Sequence, residues 1–521
     1  MEGKLVRRES IVAALEALLQ PGDRVVLEGD NQKQADFLSR ALAQVDPARV
    51  HDIHLLIPSI TRPEHLTLFE RGIARRVDFC FAGPQSVRVA QLLEEGKLEI
   101  GSIDTYIELY ARMLVELTPQ VALVCAAQGD RAGNLYTGAN TEDTPTIVEA
   151  AAFAHGVVLA QVNELVDELP RVDIPGSWVD LLVTADRPFA LEALFTRDPA
   201  CISEQQVLMA MLVIRGIYER HGVTSLNHGI GFATAAIELL LPTYAQSRGL
   251  KGRICRNWVL NPHPTLIPAI ETGWVESVYC FGSEAGMEPY VQARPDIFFV
   301  GADGSLRSNR TLAQLAGQYG VDLFIGATLQ MDADANSSTV TLGRLAGFGG
   351  APNMGHDPRG RRHASPAWLS LIEADTPVAR GRKLVVQLVE TLRNGVPALV
   401  ESLDAVAVGR RSGMPIAPVM IYGDDVSHVV TEQGIAYLYR AQAGEERRAA
   451  LAAIAGATPI GRRADAQRSA SLRARGIVAH PEDLGITSGE ARHSLLAARS
   501  IDELIEWSGG LYRPPDHVRR R

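Results

Sequence analysis

Short apolar runs rich in β-branched residues alternate with helix-like segments along the whole chain, and the order of these runs repeats once. Residues 77–83 are echoed by residues 275–282, and residues 121–125 by residues 321–325. The offset is about 200 residues in both cases, as expected of a duplicated structural unit. Alternating strands and helices are typical of parallel sheets covered by helices. The pattern therefore predicts two similar α/β units in one chain.

Each predicted unit opens with a helix and then a strand. A helix is predicted from Ser10 to Leu19, with Ser10 as its N-cap, ahead of a strand at residues 25–27. A second helix is predicted from Glu204 to Arg220, with Ser203 as its cap, ahead of a strand at residues 223–226. We place the domain boundary in this region and predict two domains, residues 1–205 and residues 206–521.

The second domain is predicted to end in a helical extension. Residues 462–475 are rich in Arg, Ser and Ala, which is typical of a solvated surface helix. Residues 513–521 carry prolines and arginines and are predicted to be a frayed tail.

Charge and cysteine usage exclude several classes of protein. The 521 residues carry a formal net charge of -10, so the chain has no electrostatic footprint for nucleic acid. Its five cysteines are odd in number and show no CxxC spacing, which favours buried free thiols in a reducing cytoplasm over a metal site or a catalytic thiol. We see no signal peptide and no apolar run near the ~20 residues that span a bilayer. We therefore expect a cytoplasmic protein without a metal, a nucleic-acid partner or a membrane partner.

A glycine-rich segment, residues 345–355, follows a predicted strand at residues 338–342. Glycine lets backbone N–H groups approach a ligand closely, so this segment is predicted to form an anion nest or an oxyanion hole; the alternative is a tight turn. Residues 356–363 follow with histidines and arginines, which suit capture of a carboxylate or phosphate or, equally, a solvated loop. The candidate cations there are Arg359, Arg361 and Arg362.

Three further turns follow predicted strands, at residues 128–134, 226–231 and 281–287. The last contains Glu284, and a carboxylate at the carboxyl end of a parallel strand is well placed for a site, although a lone Glu in a turn is more often a solvated cap. No P-loop, GxSxG or HExxH motif is present, which argues against the commonest kinase-like, hydrolase and metalloprotease sites.

Five segments, taken together and in order, resemble the CoA-transferase family. They are residues 128–134, 226–234, 283–286, 347–350 and 430–436, which resemble its N-domain glycine turn, the start of its second half, its Ser-Glu-Asn-Gly motif, its oxyanion loop and its C-terminal signature. The resemblance implies two similar CoA-transferase-like α/β domains with parallel-rich sheets, followed by a helical C-terminal region.

The same resemblance implies roles for individual residues. Glu284 would be the nucleophile, and the backbone of Gly349 and Gly350 would stabilise the oxyanion. Ala285 stands where the family motif has Asn, and the alternative is that the substrate acid attacks the thioester directly, with Glu284 a spectator. Substrate and prosthetic-arm binding is assigned, besides the three arginines above, to Asn134, Gly229, Gly231, Gly347 and Asn353.

Within that family, residues 25–36 resemble most closely the malonate decarboxylase alpha subunits. This resemblance implies exchange of acetate for malonate on the thiol of a phosphoribosyl-dephospho-CoA arm. That arm belongs to an acyl carrier protein, and this chain would bind no cofactor of its own. Further partners would be the decarboxylase beta and gamma subunits.

The alternatives remain open. Another CoA-transferase, an acyl-CoA hydrolase or a citrate lyase alpha-type subunit would share these motifs. A dinucleotide-dependent oxidoreductase would need a fuller glycine fingerprint than this sequence has, and a non-catalytic scaffold would keep only the fold.

Overall fold

The computed structural model of the protein describes residues 3–30, 32–302, 304–306, 310–358, 366–371 and 382–519. Within these ranges the chain forms two large sheets with helices on their faces. None of the described helices is both long enough and apolar enough to cross a membrane.

The first sheet is built from the first 184 residues in the order β4-β3-β2-β1-β5-β7-β8, with β6 paired to β5. Its neighbours are parallel except for the β5–β6 pair. The strands are β1 (Arg24–Leu27), β2 (Ile53–Ser59), β3 (Ala74–Phe81), β4 (Glu99–Ile103), β5 (Val121–Gly129), β6 (Leu135–Tyr136), β7 (Val157–Leu165) and β8 (Leu181–Thr184). The helices are α1 (Ile11–Leu18), α2 (Asp36–Leu42), α3 (Pro63–Glu70), α4 (Ser86–Glu94), α5 (Tyr106–Val115) and α6 (Thr144–Ala152).

The second sheet follows the same plan in the order β11-β10-β9-β12-β17-β20-β21-β22, with two antiparallel strands, β21 and β22, added at one edge. Its strands are β9 (Ser225–His228), β10 (Asn257–Val259), β11 (Ser277–Tyr279), β12 (Leu323–Ala327), β17 (Leu384–Leu388), β20 (His428–Thr431), β21 (Gly434–Tyr437) and β22 (Val478–Ala479). Three small hairpins lie between them: β13 (Gln330–Met331) with β14 (Ser337–Ser338), β15 (Val340–Thr341) with β16 (Arg344–Leu345), and β18 (Leu392–Arg393) with β19 (Val396–Pro397).

Most helices of this part of the chain cover the second sheet or extend from it. They are α7 (Glu204–Val213), α8 (Phe232–Leu240), α9 (Ile267–Glu271), α10 (Glu288–Ala293), α11 (Arg310–Gly320), α12 (Ala351–Met354), α13 (Pro366–Leu369), α14 (Asp404–Arg411), α15 (Gly444–Ala453), α16 (Ala466–Ala474), α17 (Ile501–Trp507) and α18 (Asp516–Arg519). The predicted α/β fold class is confirmed.

The predicted repeat falls on equivalent strands. The run at residues 77–83 contains most of β3, and its echo contains β11. Each is separated from the central strand, β1 or β9, by one strand. The run at residues 121–125 begins β5 and its echo contains most of β12, on the other side of those central strands. A domain boundary at residue 205 lies between the last strand of one sheet and the first strand of the other, and it stays a prediction.

Both faces of each sheet are buried. Side chains alternate between the two faces along a strand, so successive residues pack into different apolar clusters. In β1, Val25 and Leu27 pack into one apolar cluster and Val26 into the cluster on the opposite face. In β12, Leu323 and Phe324 divide in the same way. Helices on both faces supply the other half of each core, which is why these strands contain nearly continuous apolar runs.

Of the two predicted helix caps, one is confirmed and the other is wrong. Ser203 caps α7 as predicted, since its hydroxyl accepts the Gln206 N–H at 3.2 Å and the Gln206 side chain accepts the Ser203 N–H at 3.0 Å. Ser10 was predicted to cap α1, but its side chain makes no cap hydrogen bond because a 3₁₀ turn, Arg8–Ser10, leads directly into the helix.

Three other predictions need correction. The strand expected at residues 338–342 is divided between β14 and β15, which pair with different partners. Cys201 is exposed, whereas the other four cysteines are buried and free. The end of the chain is docked as far as it is described, because Tyr512 is fully buried and the Arg513 N–H donates to the Gly286 carbonyl at 2.9 Å.

Candidate functional site

A buried charge cluster lies between the two sheets, around Arg310 at the start of α11. The Arg310 Nη2 lies 2.9 Å from the Glu142 Oε2 and also pairs with Asp30. The Arg310 Nε lies 3.7 Å from the Asp143 Oδ1, and the guanidinium sits 4.2 Å from the centre of the Tyr106 ring. These residues come from four separate segments of the chain, so the junction of the two halves creates the cluster.

One guanidinium faces three carboxylates within the described part of this cluster. Burial raises the pKa of Glu142 to about 7, although the Arg310 charge opposes the rise. Burial likewise raises the pKa of Asp30 well above its ordinary value, again against the effect of Arg310. Because burying unpaired charge is costly, the cluster retains part of its proton load near neutral pH.

The turn after β11 carries Glu284, whose side chain has no exposed surface. Its Oε1 accepts the Thr196 N–H at 2.9 Å and the Thr196 hydroxyl at 2.7 Å, and its Oε2 accepts the Phe195 N–H at 3.1 Å. The Tyr512 hydroxyl lies within hydrogen-bond distance of the Thr196 Oγ1, at 3.1 Å. The carboxylate is therefore bound by the segment that connects the two sheets, and the C-terminal segment contacts that connecting segment.

The Glu284 carboxyl titrates far from its ordinary range. Burial raises its pKa to about 7, and the Thr196 hydroxyl, the amides of Phe195 and Thr196 and the charge on His263 oppose the rise. A buried carboxyl with so strongly perturbed a pKa is a candidate functional group.

The Glu284 turn lies against the Arg310 cluster. A Cβ placed on Gly282, two residues before Glu284, would overlap the Glu142 carboxylate and lie 3.3 Å from the Asn140 side chain. Only glycine at residue 282 lets the turn come so close, and the contact joins the turn to the carboxylate that Arg310 binds.

The predicted glycine loop lies against the first sheet. Gly347 has φ +73°, and the N–H groups of Phe348 and Gly349 both donate to the Cys80 carbonyl, at 2.7 and 2.9 Å. The Gly349 N–H is thus already engaged, whereas the Gly350 N–H has no partner among the described residues. Of the two predicted oxyanion donors, Gly350 is the one with a free N–H in this conformation; both assignments stay predictions.

The glycine loop reaches the cluster through Tyr106. A Cβ on Gly349 would lie 3.3 Å from the Tyr106 ring, the ring over which Arg310 sits. Asn353 donates to the Thr105 hydroxyl at 3.0 Å and to the Gln314 side chain at 3.1 Å. The loop is thus connected to the charge cluster through Tyr106 and Arg310.

The other predicted binding residues occupy different positions. The Gly229 N–H donates to the Ile325 carbonyl at 2.7 Å, and Gly231, in extended conformation, leads into α8. Asn134 binds Asp130 within its own turn, at 2.7 Å, and accepts the Gly176 N–H at 2.7 Å. Its described contacts are therefore those of a structural turn. The positions predicted to bind anions at Arg359, Arg361 and Arg362 lie outside the described residues.

Sequence reasoning missed Arg310, Asp30, Glu142 and Tyr106. One signal was available, because the polar run Glu28–Gln34 directly follows a buried strand, and polar residues there mark a site in a parallel sheet. No comparable signal marks Glu142 or Arg310, which are brought to that edge by the fold.

Comparison with known proteins gives matches over the whole chain. The family described as "Malonate decarboxylase, alpha subunit, transporter" matches residues 1–521. The acetyl-S-ACP:malonate ACP transferase of Malonomonas rubra is 54% identical over 522 residues, covering 98% of this chain and 94% of that protein.

Two solved structures are similar over nearly the full length. A Pseudomonas malonate decarboxylase hetero-tetramer in complex with malonate contains a chain 66% identical to this one, with a TM-score of 0.96, covering 99% of this chain and 95% of that one. The alpha subunit of a malonate decarboxylase from Acinetobacter baumannii is 62% identical, with a TM-score of 0.96, covering 100% and 96%.

More distant structures show the fold alone. A citrate lyase alpha subunit from Streptococcus mutans, 16% identical, matches with a TM-score of 0.62 over 98% of this chain and 87% of that one. An acyl-CoA transferase from Escherichia coli O157:H7, 13% identical, matches with a TM-score of 0.53 over 82% and 87%. The fold is therefore the CoA-transferase-like fold predicted from the motifs.

Proposed function

The chain belongs to the family of malonate decarboxylase alpha subunits, and from this premise we propose that it is the acetyl-S-ACP:malonate ACP transferase of such a complex. It exchanges acetate for malonate on the thiol of a carrier protein. The observation that carries the proposal is the 54% identity to a transferase of that name over 98% of the chain. The structure gives further support to the proposal, because a buried carboxylate and a glycine-rich loop lie in a CoA-transferase-like fold.

Glu284 is the nucleophile of this exchange in the covalent route. One carboxylate oxygen attacks the acetyl thioester carbon, the C–S bond of the resulting tetrahedral intermediate breaks, and the carrier thiolate departs as an acetyl-glutamyl anhydride forms. The thiolate then attacks the glutamyl carbonyl and releases acetate, which leaves the carrier bound to Glu284 as a thioester. A malonate carboxylate attacks that thioester, the C–S bond breaks, and a malonyl-glutamyl anhydride and the free thiolate form. The thiolate then attacks the malonyl carbonyl, which gives malonyl-carrier and restores the Glu284 carboxylate.

The glycine loop stabilises the negative oxygen of each tetrahedral intermediate. The free N–H of Gly350 is the first candidate donor, and Gly349 joins it if its bond to Cys80 opens. Losing one donor of this kind typically lowers a rate by ~10²–10³.

A direct route is the second candidate, and the covered position of Glu284 favours it. In that route malonate attacks the acetyl thioester itself, and Glu284 holds the connecting segment through Phe195 and Thr196. The covalent route requires that segment to move, because Glu284 has no exposed surface.

The carrier and its arm complete the proposal. The thiol acted on is that of a phosphoribosyl-dephospho-CoA group on an acyl carrier protein, and the beta and gamma subunits of the complex decarboxylate the malonyl product. Arg359, Arg361 and Arg362 remain the proposed ligands of the malonate carboxylate that does not react. The hetero-tetrameric assembly of the Pseudomonas relative supports the presence of partner subunits.

The experiment that tests the proposal mixes acetyl-carrier with malonate and follows malonyl-carrier and acetate by mass spectrometry. Wild-type protein is expected to form both, and failure to do so with the complete carrier would refute the function. Glu284→Gln keeps the size of the side chain but removes the nucleophile, so the covalent route predicts complete loss of exchange and the direct route predicts retained exchange. Glu288→Gln, a mostly buried carboxyl in the same region, is the matched control.

A further inference from the structure

Only one of the two backbone donors proposed for the oxyanion is free. The Gly349 N–H donates to the Cys80 carbonyl at 2.9 Å, whereas the Gly350 N–H has no partner among the described residues. Oxyanion holes are built from several oriented donors, which include side-chain amides as well as backbone N–H groups. While Gly349 keeps its bond to Cys80, a second donor beside Gly350 has to come from a side chain.

Gln314, on α11, lies directly against Gly350. A Cβ placed on Gly350 would be 2.5 Å from the Gln314 Nε2, 2.9 Å from its Cδ and 3.3 Å from its Oε1. The nitrogen end of the amide is thus the end that faces the loop. The Gln314 side chain is buried, and its Nε2 has no hydrogen-bond partner in the described part of the chain. Two unused donors are therefore adjacent at Gly350.

The glycine at residue 350 allows this close approach. Its φ is -94° and its ψ is -2°, which lies outside the left-handed region that favours glycine. Gly347 and Gly349 differ in this respect, because both have positive φ. A side chain at residue 350 would instead displace the Gln314 amide. The lack of a side chain at Gly350 is therefore explained by the contact with Gln314 and not by the backbone conformation.

The oxygen end of the Gln314 amide is held by Asn353. The Asn353 Nδ2 donates to the Gln314 Oε1 at 3.1 Å and to the Thr105 Oγ1 at 3.0 Å. Thr105 is itself fixed, since its hydroxyl oxygen accepts the Glu108 N–H at 3.1 Å at the start of α5. An amide oxygen accepts and an amide nitrogen donates. The bond from Asn353 therefore fixes which end of Gln314 faces Gly350.

The packing of α11 against α12 keeps the amide at the loop. A Cβ on Gly317, three residues after Gln314, would overlap the Met354 side chain, so the two helices are in close contact. The fully buried Lys383 donates to the Gly317 carbonyl at 2.8 Å and to the Met354 carbonyl at 2.5 Å. An oxyanion donor needs such preorganisation, because a donor that is already oriented does not have to rearrange during the reaction.

We propose that the Gln314 side-chain amide is a catalytic residue that donates, together with the Gly350 N–H, to the oxyanion of each tetrahedral intermediate. Gln314 deepens the proposed transferase function, on which this assignment rests, because it adds a donor from outside the glycine loop. In either route an attacking carboxylate oxygen bonds to the thioester carbon, and the carbonyl oxygen takes the negative charge. Both donors bind that oxygen until the C–S bond breaks and the thiolate leaves, and neither gives up its hydrogen.

Gln314→Glu and Gln314→Met test the assignment in the exchange assay. Glutamate keeps the length of the side chain and an oxygen that accepts from Asn353, but its carboxylate cannot donate; methionine removes both polar ends. Both variants are expected to lower kcat by ~10²–10³ and to change KM less than about threefold, because the donor acts on the oxyanion more than on the bound thioester. Gln318→Met, the same replacement one turn further along α11, is the control and is expected to keep the wild-type rate. An active Gln314→Glu, or a loss confined to KM, would mean that the amide only holds Asn353 and would overturn the assignment.

A second readout separates Gln314 from the transferase function. The ketone analogue of acetyl-dephospho-CoA, with a methylene group in place of sulfur, cannot be cleaved and reports its carbonyl environment without any exchange. With an isotope-labelled carbonyl, its infrared stretching band is expected at lower frequency on the wild-type protein than on Gln314→Met, because each donor weakens the C=O bond. Gln314→Glu gives the same comparison if the methionine variant does not fold. Equal frequencies on the folded proteins overturn the assignment, whereas a lower wild-type frequency in a protein that does not exchange acetate for malonate overturns only the function.

Discussion

Replacing Arg310 with methionine removes the single guanidinium that the described structure places among Asp30, Glu142 and Asp143. Methionine has a similar volume but a shorter side chain, so the change deletes charge and hydrogen bonds more than volume. Removing one partner of a buried ion pair typically costs ~3–5 kcal/mol, because it leaves uncompensated charge in the interior. We expect a loss in that range at pH 8, with a further contribution from the lost contact with the Tyr106 ring.

The size of the loss should depend on pH. Burial already raises the pKa of Glu142 to about 7, against the effect of Arg310. Without Arg310 that pKa rises further, so the folded variant holds a proton that the unfolded chain, with its ordinary pKa, has already released. A raised folded pKa means stability that is present at low pH and lost as pH rises. The cost should therefore grow above pH 7, by at most about 1.4 kcal/mol per pH unit for each such carboxyl.

Urea unfolding followed by tryptophan fluorescence at pH 6 and pH 8 measures both effects. Arg411→Met is the matched control, because Arg411 pairs with Glu94 at 3.1 Å with both side chains more than half exposed. Exposed pairs contribute about 0–1 kcal/mol, so the control should change little at either pH. A loss below about 1 kcal/mol for Arg310→Met, or one that does not grow between pH 6 and pH 8, would refute the account of this cluster.

Two further substitutions test the glycine loop and the C-terminal segment. Gly347→Ala should lower the free energy of unfolding by about 1–3 kcal/mol in a denaturant titration, because φ is +73° and the new methyl group would overlap the Cys80 carbonyl. Gly343→Ala, with open space at its Cβ, is the control, and equal effects would contradict the reasoning. Tyr512→Phe removes the hydroxyl that supports Thr196 and should slow exchange about fivefold, the equivalent of one ordinary hydrogen bond; an unchanged rate in the transfer assay would exclude that supporting role.

Much of the architecture was predictable from the chain alone. Side-chain alternation and apolar runs have a period set by the backbone, so the amino-acid order of residues 77–83 and of their echo is enough to indicate equivalent strands. The Ser203 cap followed from local chemistry in the same way. The docked C-terminal segment was not predictable, because the Arg513 N–H donates to Gly286, a residue more than 200 positions earlier in the chain.

The ordered motifs pointed to the Glu284 turn and the glycine loop as the candidate site, which stays a prediction. The resemblance to malonate decarboxylase alpha subunits was confirmed by the family match. The motifs did not indicate that Glu284 would be fully covered, or that the Gly349 N–H would be engaged by Cys80. Hydrogen-bond partners on another strand leave no trace in the local sequence.

The sequence by itself determined the class of fold, its duplication and the family, because periodicity and motif order are properties of neighbouring residues. Only the tertiary structure decided which charges meet. Asp30, Glu142 and Arg310 are separated by more than 100 residues from one another and approach because the two sheets pack with their loops together. The pKa of Glu284 also depends on the tertiary structure, because burial of the carboxyl raises it and the nearby charge on His263 opposes the rise. The sequence alone gives neither the burial of a side chain nor the distance between two side chains.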